Sequence, residues 1–276
     1  MPSLAALRHA PWSSSKVKCA QRCPQEFHFR YTERIPEPLV SPEQRIGKAI
    51  HAVLELVLAR RSLDEALALH RTDLLHDAER EKYDALAPKV QLFIERIDAF
   101  RQKRRPRVEM IEAQLAIDAL LNPTEFIAQN AFFRGILDVG FEWGDGELAV
   151  VDHKTGMRRL ASDFAEQLEA YATLAVSNSP HLKRIWLGVH YVGAAAMEWS
   201  APVPVEEVKK EFLPRLLDQV ELAARNVAGP AEPRPGPYCA WCSYRAICPA
   251  MRNVPVEEDV VVAPSSEGDG EGEGAA

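Results

Sequence analysis

The chain has 276 residues, of which 47% are hydrophobic, and a formal net charge of −7. Its length allows a large core in one domain or two smaller ones, and no apolar run approaches the roughly 20 residues that span a bilayer. We therefore expect a globular protein and exclude a transmembrane helix. Residues 1–15 lack an apolar core followed by a cleavage site, which predicts no secretory signal and a cytoplasmic protein with reduced cysteines.

The negative charge is concentrated near the end of the chain. Seven acidic residues and no lysine or arginine lie between residues 256 and 276, so the remainder carries no net charge. We expect residues 251–276 to form a disordered acidic tail, because this segment is too polar to pack. Two basic strips occur elsewhere, each also compatible with a solvated face: Arg101, Lys103, Arg104, Arg105 and Arg107, and Lys16, Lys18, Arg22, Arg30 and Arg34.

The first part of the chain is predicted to be mainly helical. Helical spacing of apolar residues predicts a helix over 13–34, a second over 42–61 and a charged helical region over 62–104. Residues 109–118 alternate apolar and polar side chains and predict a half-buried strand.

A β-hairpin is predicted next. Gly144-Asp145-Gly146 is a tight-turn signal; as a three-residue loop it pairs Trp143 with Glu147 and places Asp138 opposite Asp152. Its strands are apolar enough to predict burial on both faces, at Ile136, Leu137, Val139, Phe141, Leu148, Val150 and Val151.

The remaining elements complete a mixed α/β order. We expect a helix from a cap at Ser162 to Val176, a strand over 185–191 and a helix over 205–228, followed by a proline-rich link to a cysteine cluster. Helix, strands, helix and strand in this order predict a mixed α/β core with one helix-rich insertion.

The hairpin carries charged residues in apolar strands. Side chains alternate along a strand, so Asp152 and Lys154 share one face with Asp138, while His153 points to the other. Burying such charges is costly unless a metal or a paired ion neutralises them. The patch suggests a divalent-metal hydrolase; a solvent-facing ion pair on an edge hairpin is the alternative.

Two helices carry further polar residues at four-residue spacing. Gly47 and His51 share a face of the second helix with Glu55, and a glycine there indicates close backbone packing that would let His51 reach the hairpin. Gln167 and Tyr171 face one way on the helix after the hairpin, and an amide and a phenol can both bind phosphate oxygens. The alternative for His51 is an ordinary core histidine, and the alternative for Gln167 and Tyr171 is an ordinary amphipathic helix surface.

Four motifs in this order resemble the PD-(D/E)XK nuclease superfamily, in particular its RecB-like and CRISPR-associated exonucleases that carry an iron–sulfur cluster. The motifs are Gly47-x3-His51, Gly135-x2-Asp138, Asp152-x-Lys154 and Gln167-x3-Tyr171. The sequence departs from the family's pattern at Leu137, which replaces the proline of the superfamily's name. Glu112 matches an acidic position of the family's first core strand.

The resemblance implies a restriction-endonuclease-like α/β core, a mixed central sheet flanked by helices. It implies one nuclease domain over residues 1–250, with a helical insertion at 60–105 and a cysteine-cluster subdomain at 230–250. The implied metal ligands for Mg²⁺ or Mn²⁺ are His51, Asp138, Asp152 and the backbone carbonyl of His153. Lys154 would act with Asp138 and Asp152 in metal-assisted phosphodiester hydrolysis, and Gln167 and Tyr171 would position the substrate.

The five cysteines form a second signal. Cys239-x2-Cys242-x5-Cys248 lies near the end of the chain, and Cys23 lies more than two hundred residues earlier. A C-x2-C pair with a third and a distant fourth cysteine fits a [4Fe–4S] site, and the similar nucleases share this layout. The alternative is a zinc site on Cys19, Cys23, Cys239 and Cys242, which leaves Cys248 free.

The function expected from these features is a metal-dependent DNA exonuclease acting on single strands or duplex ends. Recombination, repair, phage-type replication and CRISPR adaptation are the settings that the resemblance implies. The chain has no phosphate-binding G-x4-G-K-[ST] loop, so a separate helicase, recombinase or integrase is the expected partner. The alternative is a non-catalytic DNA-binding or assembly subunit that keeps the fold and its cluster.

Overall fold

The computed structural model describes residues 2–38, 40–156 and 164–251. Within these residues seven strands form one mixed sheet in the order β2-β1-β3-β4-β5-β6, with β7 paired to β5. β4 and β5 are parallel and the other pairs are antiparallel. The strands are β1 (Val108–Asp118), β2 (Pro123–Thr124), β3 (Ala131–Trp143), β4 (Glu147–Lys154), β5 (Arg184–Tyr191), β6 (Ala196–Trp199) and β7 (Val203–Pro204).

Helices cover both faces of the sheet. The α-helices of the described residues are α1 (Leu4–Arg8), α2 (Ser14–Arg22), α3 (Pro24–Phe27), α4 (Pro42–Leu58), α5 (Leu63–Arg71), α6 (Asp77–Asp84), α7 (Ala87–Arg104), α8 (Ala165–Asn178), α9 (Val205–Glu207) and α10 (Leu213–Asn226). Helices α4 to α7 pack on one face through a core that includes Val139 and Val151. Helix α8 packs on the other face against Val150 and Leu187. The sheet is therefore buried between two helical layers.

The helical first part of the chain is confirmed, with breaks that periodicity does not show. The helix predicted over 13–34 is interrupted at Cys23, which is extended with φ −154°. A proline disfavours the helical conformation in the residue before it, and Pro24 begins the next helix. The helix predicted over 42–61 is α4, which Ser41 and Gln44 begin with a capping box. The charged region over 62–104 divides into α5, α6 and α7.

The hairpin has the predicted loop and register. The paired residues run from Trp143 with Glu147 to Val139 with Val151, and Asp138 and Asp152 lie one position beyond the last pair. Gly144 and Gly146 have φ values of +58° and +84°, which favour glycine.

Burial of the hairpin strands is confirmed except at one position. Ile136 is 37% exposed, contrary to expectation, because its side chain lines an open groove rather than a helix. The strand over 109–118 is β1, and the strand over 185–191 lies within β5.

The last predicted helix is continuous from Val205 to Asn226, with a π-helical segment at Val208–Phe212 between α9 and α10. The predicted cap at Ser162 lies outside the described residues, as does the predicted acidic tail from residue 252 onward. Among the described helices, none has the length and hydropathy needed to cross a membrane.

Candidate metal and catalytic site

The first polar cluster forms where α4 passes the end of β4. A Cβ atom added at Gly47 would lie 3.0 Å from Oγ1 of Thr155, so the glycine permits this close approach. One turn later, Nε2 of His51 lies 3.1 Å from the carbonyl oxygen of His153. Nδ1 of His51 lies 3.7 Å from Oδ2 of Asp138. The helix thus brings His51 to the hairpin, as its spacing from Gly47 predicted.

Asp138 is nearly buried beside this histidine. Its Oδ2 accepts a hydrogen bond of 2.7 Å from the backbone N–H of His153. Burial raises the pKa of Asp138, while the nearby His51 and the His153 N–H act in the opposite direction. A buried carboxylate that accepts so few hydrogen bonds is well suited to bind a cation.

Glu112 on β1 completes a group of three possible metal ligands. One ligand atom from each of His51, Glu112 and Asp138 lies within 4.8 Å of the others. Burial, with the charges of Asp138 and Glu55, raises the pKa of Glu112 to about 7. Glu112 also has a φ of +47°, a conformation that costs energy in a non-glycine residue and often marks a functional site. Imidazole and carboxylate side chains are common ligands of divalent metal ions in proteins.

Asp152 and Lys154 form an ion pair next to this group. Nζ of Lys154 lies 2.7 Å from Oδ2 of Asp152, whose residue is only 1% exposed. Burial raises the pKa of Asp152 to about 6. The Lys154 ammonium acts to lower this pKa, and the negative charge of Asp138 acts to raise it. The structure thus places Asp152 and Lys154 on one face, as the alternation along the strand predicted.

Gln167 and Tyr171 on α8 join this pair in one hydrogen-bonded network. The Gln167 amide donates to Oδ1 of Asp152 at 3.0 Å and to the Tyr171 hydroxyl at 2.8 Å, and its oxygen accepts from Lys154 at 3.1 Å. Burial raises the pKa of the Tyr171 phenol, which therefore stays protonated. The network holds Lys154 and Asp152 in fixed positions.

Gly135 explains how α8 comes so close to the hairpin. A Cβ atom added at Gly135 would lie 2.9 Å from Cδ1 of Leu174 and 3.4 Å from Cε1 of Tyr171. The glycine of the Gly135-x2-Asp138 motif therefore leaves room for the helix that carries Gln167.

The side chain of His153 lies on the opposite face of the sheet, as predicted. Its Nδ1 lies 3.0 Å from Nδ1 of His190, and both rings pack against Phe93 of α7. Burial lowers the pKa of His153, which favours the neutral ring. Its backbone N–H and carbonyl reach Asp138 and His51, and its ring also meets the His51 ring edge-on at 6.0 Å between centroids.

An open groove leads to the metal-ligand group. Spacing alone did not single out three of its polar lining residues, Ser15, Lys48 and Thr155. Lys48 lies on α4 one residue after Gly47. This position on the helix is the only feature of the sequence that could have indicated Lys48 as a groove residue. Ser15 and Thr155 come from α2 and from the end of β4, so their meeting depends on the tertiary fold.

The predicted cluster cysteines line one cavity at another part of the molecule. Cys23, Cys239, Cys242 and Cys248 all contact this space. Backbone N–H groups of Arg234 and Gly236 lie 3.4 Å from the sulfurs of Cys23 and Cys239 respectively.

Cys19 does not line the cysteine cavity. It is buried in the core between α2 and α10, where burial raises the pKa of its thiol to about 12. Cys19, which belongs to the cysteine set of the zinc alternative, therefore lies outside the group that lines this cavity.

Three of the five cations in the basic strip of residues 16–34 are engaged within the fold. Lys16 lies among the rings of Trp12, Phe27 and Tyr31, and burial lowers its pKa to about 8. Arg22 and Arg30 are paired with the buried Glu26. These cations stabilise the N-terminal helices.

The family profile of the PD-(D/E)XK nuclease superfamily matches residues 11–249, and the chain belongs to this superfamily. Membership supports a nuclease that uses divalent metal ions, and the His51, Glu112 and Asp138 group is a candidate site for them. A solved structure titled "Crystal structure of SSO0001" is 15% identical, with 85% of each chain covered and a TM-score of 0.38. A likeness this remote carries no argument. No curated protein matches the chain.

Proposed function

We propose that the chain is a Mg²⁺- or Mn²⁺-dependent deoxyribonuclease, an exonuclease that acts on single strands or duplex ends. The observation that supports this most strongly is the meeting of His51, Glu112 and Asp138 beside the Asp152–Lys154 ion pair. These residues come from α4 and three neighbouring strands, and their carboxyl groups are held at raised pKa by burial. Such an arrangement costs stability unless a cation is bound.

The chain's own residues divide into ligands and positioning groups. His51, Asp138, Asp152 and the His153 carbonyl would hold the ion, with Glu112 as a further ligand. When bound, a divalent ion in such a site would polarise the scissile phosphate and lower the pKa of the attacking water. Nε2 of His51 lies 3.1 Å from the His153 carbonyl oxygen, so these two proposed ligands face the same space.

Lys154 supplies the positive charge that the reaction needs. Its Nζ lies between Asp152 and Gln167, where it can orient the water or offset the charge that develops on the phosphate. Gln167 and Tyr171 limit the positions that Lys154 can take and can contact phosphate oxygens. A single positioned group of this kind contributes about 10²–10³ in rate.

The groove supports a polymeric substrate over a small enclosed one. It is wide and open, and Lys48 and Ser15 can contact phosphates on the strand that enters it. The preference for DNA ends and the settings of recombination, repair, replication or CRISPR adaptation follow from the resemblance. The cytoplasmic location expected from the sequence is part of the proposal. A separate helicase, recombinase or integrase remains the proposed partner.

A cleavage assay on end-labelled single- and double-stranded DNA with Mg²⁺ or Mn²⁺ tests this function. We expect Asp152→Asn and Lys154→Ala to lose cleavage by about 10²–10³ or more while both variants stay folded. Asp218→Asn, which removes an exposed acid on α10, is the matched control and should retain full activity. Undiminished cleavage by both site variants would refute the assignment.

The competing function is a non-catalytic DNA-binding or assembly subunit. The complete set of Asp138, Asp152 and Lys154 argues against it, because an inactive site gains nothing from buried like charges. The same assay separates the two: binding without any metal-dependent cleavage by the wild-type protein would support the subunit.

For the second metal site we propose a [4Fe–4S] cluster bound by Cys23, Cys239, Cys242 and Cys248. Zn–S bonds of about 2.3 Å place the sulfurs of a tetrahedral zinc site about 3.8 Å apart. Within the described residues, no three cysteine sulfurs lie within 4.8 Å of one another. A four-iron cluster is larger and holds its thiolates further apart, so it fits this cavity better.

A further inference from the structure

Five exposed cations lie on the two segments next to the hairpin turn, at the end of the sheet away from the candidate metal site, and two of them, Arg107 and Lys183, line one pocket with the turn residues Gly144, Asp145 and Gly146. We call them the turn-end basic surface: Lys103, Arg104, Arg105, Arg107 and Lys183. Four of them belong to a basic strip that the sequence shows, and Lys183 comes from a distant segment. The nuclease site described above uses none of them.

Backbone and ring contacts bring these segments together. The backbone N–H of Arg107 donates to the Glu142 carbonyl at 2.7 Å, and that of Lys183 donates to the Gly146 carbonyl at 2.8 Å. The Arg104 guanidinium lies 5.5 Å from the ring centroid of Trp143. The cations of two segments thus surround one turn.

The packing at Gly146 keeps this arrangement tight. A Cβ atom at Gly146 would lie 2.6 Å from the backbone oxygen of His181, so only glycine allows the segment before β5 to lie against the turn. Lys183 is held next to the turn for this reason.

Three of the acids nearby have partners outside the surface, and a fourth, Asp145, is exposed at the turn itself beside Arg107 and Lys183. Glu142 pairs with His181 at 2.8 Å and Glu147 with Arg184 at 3.5 Å. Glu109 pairs with Arg101, the one member of the sequence strip that is buried. Within the described residues, none of the five surface cations takes part in an ion pair, so their charge is available to an external anion.

The turn-end basic surface is connected to the site by β1. Glu112 lies at the candidate metal site and Arg107 directly precedes β1, five residues away, which is roughly 17 Å along an extended strand. Among the described strands, β2 pairs with β1 only at Ala116 and Ile117, so the outer edge of the first half of β1 is open. One strand of a duplex advances about 3.4 Å per nucleotide, so roughly five nucleotides span this distance.

We propose that the turn-end basic surface binds the phosphate backbone of the nucleic-acid substrate about five nucleotides from the scissile bond. This inference rests on the proposed nuclease function and adds a second contact region for the substrate. A polyanion with regularly spaced charges matches several exposed cations that lack internal partners. The surface increases affinity for long strands and leaves the chemistry at Lys154 unchanged.

The test is the salt dependence of binding, in a Lys154→Ala background that preserves the strand. Fluorescence anisotropy measures the affinity for a 30-nucleotide single strand across a KCl series. Adding Arg107→Ala and Lys183→Ala should lower the slope of log K against log [KCl] by about 1.4, the loss of two phosphate contacts. Affinity for a tetranucleotide, which is too short to reach both regions, should not change.

Arg8→Ala with Arg225→Ala is the matched control, since it removes two exposed charges on α1 and α10. An unchanged slope in the Arg107/Lys183 variant, or an equal loss in the control, would overturn the inference. Binding and cleavage by the wild-type protein distinguish a failure of this inference from a failure of the proposed nuclease function. If wild-type protein neither binds nor cleaves the long strand, the nuclease assignment itself has failed. If the wild-type protein cleaves and the Arg107/Lys183 variant has the same salt slope as its parent, only the proposed role of the turn-end basic surface is refuted.

Discussion

At the scale of single residues, the candidate site contains carboxyl groups that burial keeps partly protonated. The pKa is raised to about 6 at Asp152 and to about 7 at Glu112, because both side chains lose hydration in the fold. A bound cation would replace that hydration and favour the ionised form. Deprotonation and metal binding are therefore linked at this site.

This linkage predicts how stability depends on pH in the metal-free protein. Unfolded carboxyls titrate near pH 4, so between about pH 4 and 7 the folded state binds more protons than the unfolded state. The free energy of unfolding should therefore fall as pH rises through this window. Glu112→Gln should make the fall less steep, whereas Glu81→Gln, at an exposed position, should not. Urea unfolding with a chelator at pH 5 and pH 7 measures this, and an identical pH dependence in all three proteins would contradict it.

At the scale of elements, local patterns predict most of the site's framework. The turn glycines fix the hairpin register from Trp143 and Glu147 onward, which determines the faces of Asp152 and Lys154. The four-residue spacing of Gly47 and His51 is enough to place both on the face of α4 that meets the sheet. These inferences hold because alternation and helical repeat are local properties of the backbone.

Other features depend on contacts that no local pattern contains. The exposure of Ile136 follows from the groove beside it, and the break at Cys23 follows from Pro24 rather than from hydrophobic periodicity. The position of Glu112 next to His51 requires the pairing of β1 with β3. The sequence resemblance suggested this acid, but only the tertiary structure shows which groups it meets.

The contact between β3 and α8 gives a prediction at this scale. Gly135→Ala should lower the free energy of unfolding by about 1–3 kcal/mol, because the added methyl group overlaps Leu174 and displaces Tyr171. Cleavage should fall as well, since Tyr171 holds Gln167. Gly229→Ala, where a methyl group meets no atom within 4 Å, should change stability by less than about 0.5 kcal/mol. Equal stabilities in chemical denaturation would show that the close approach at Gly135 is not required.

At the scale of the whole molecule, the two ends of the described chain meet at the cysteine cavity. The Tyr238 hydroxyl donates to the Arg22 carbonyl at 3.0 Å, and the Tyr244 hydroxyl donates to the Ile35 carbonyl at 2.9 Å. The Arg234 guanidinium donates to the Gln21 carbonyl at 2.6 Å. Sequence spacing groups the three late cysteines, but their meeting with Cys23 spans more than two hundred residues and came only from the resemblance.

The cysteine cavity predicts different effects for two neighbouring cysteines. Purified without oxygen, the wild-type protein should be brown with broad visible absorption, and Cys248→Ser should lose colour and unfold at a lower temperature. Cys19→Ser should keep the colour, because this thiol lies outside the cavity. A colourless wild-type protein that contains zinc would contradict the iron–sulfur proposal. The nuclease proposal would be unaffected.

The central claim is that carboxylates from β1, β3 and β4 bind a divalent ion together with His51. Calorimetric titration of chelator-treated protein with Mn²⁺ at neutral pH tests it most directly. The account predicts saturable binding by the wild-type protein, at least about tenfold weaker binding by Asp138→Asn, and unchanged binding by Asp145→Asn. Equal Mn²⁺ affinity in all three proteins, or no binding in any, would contradict it.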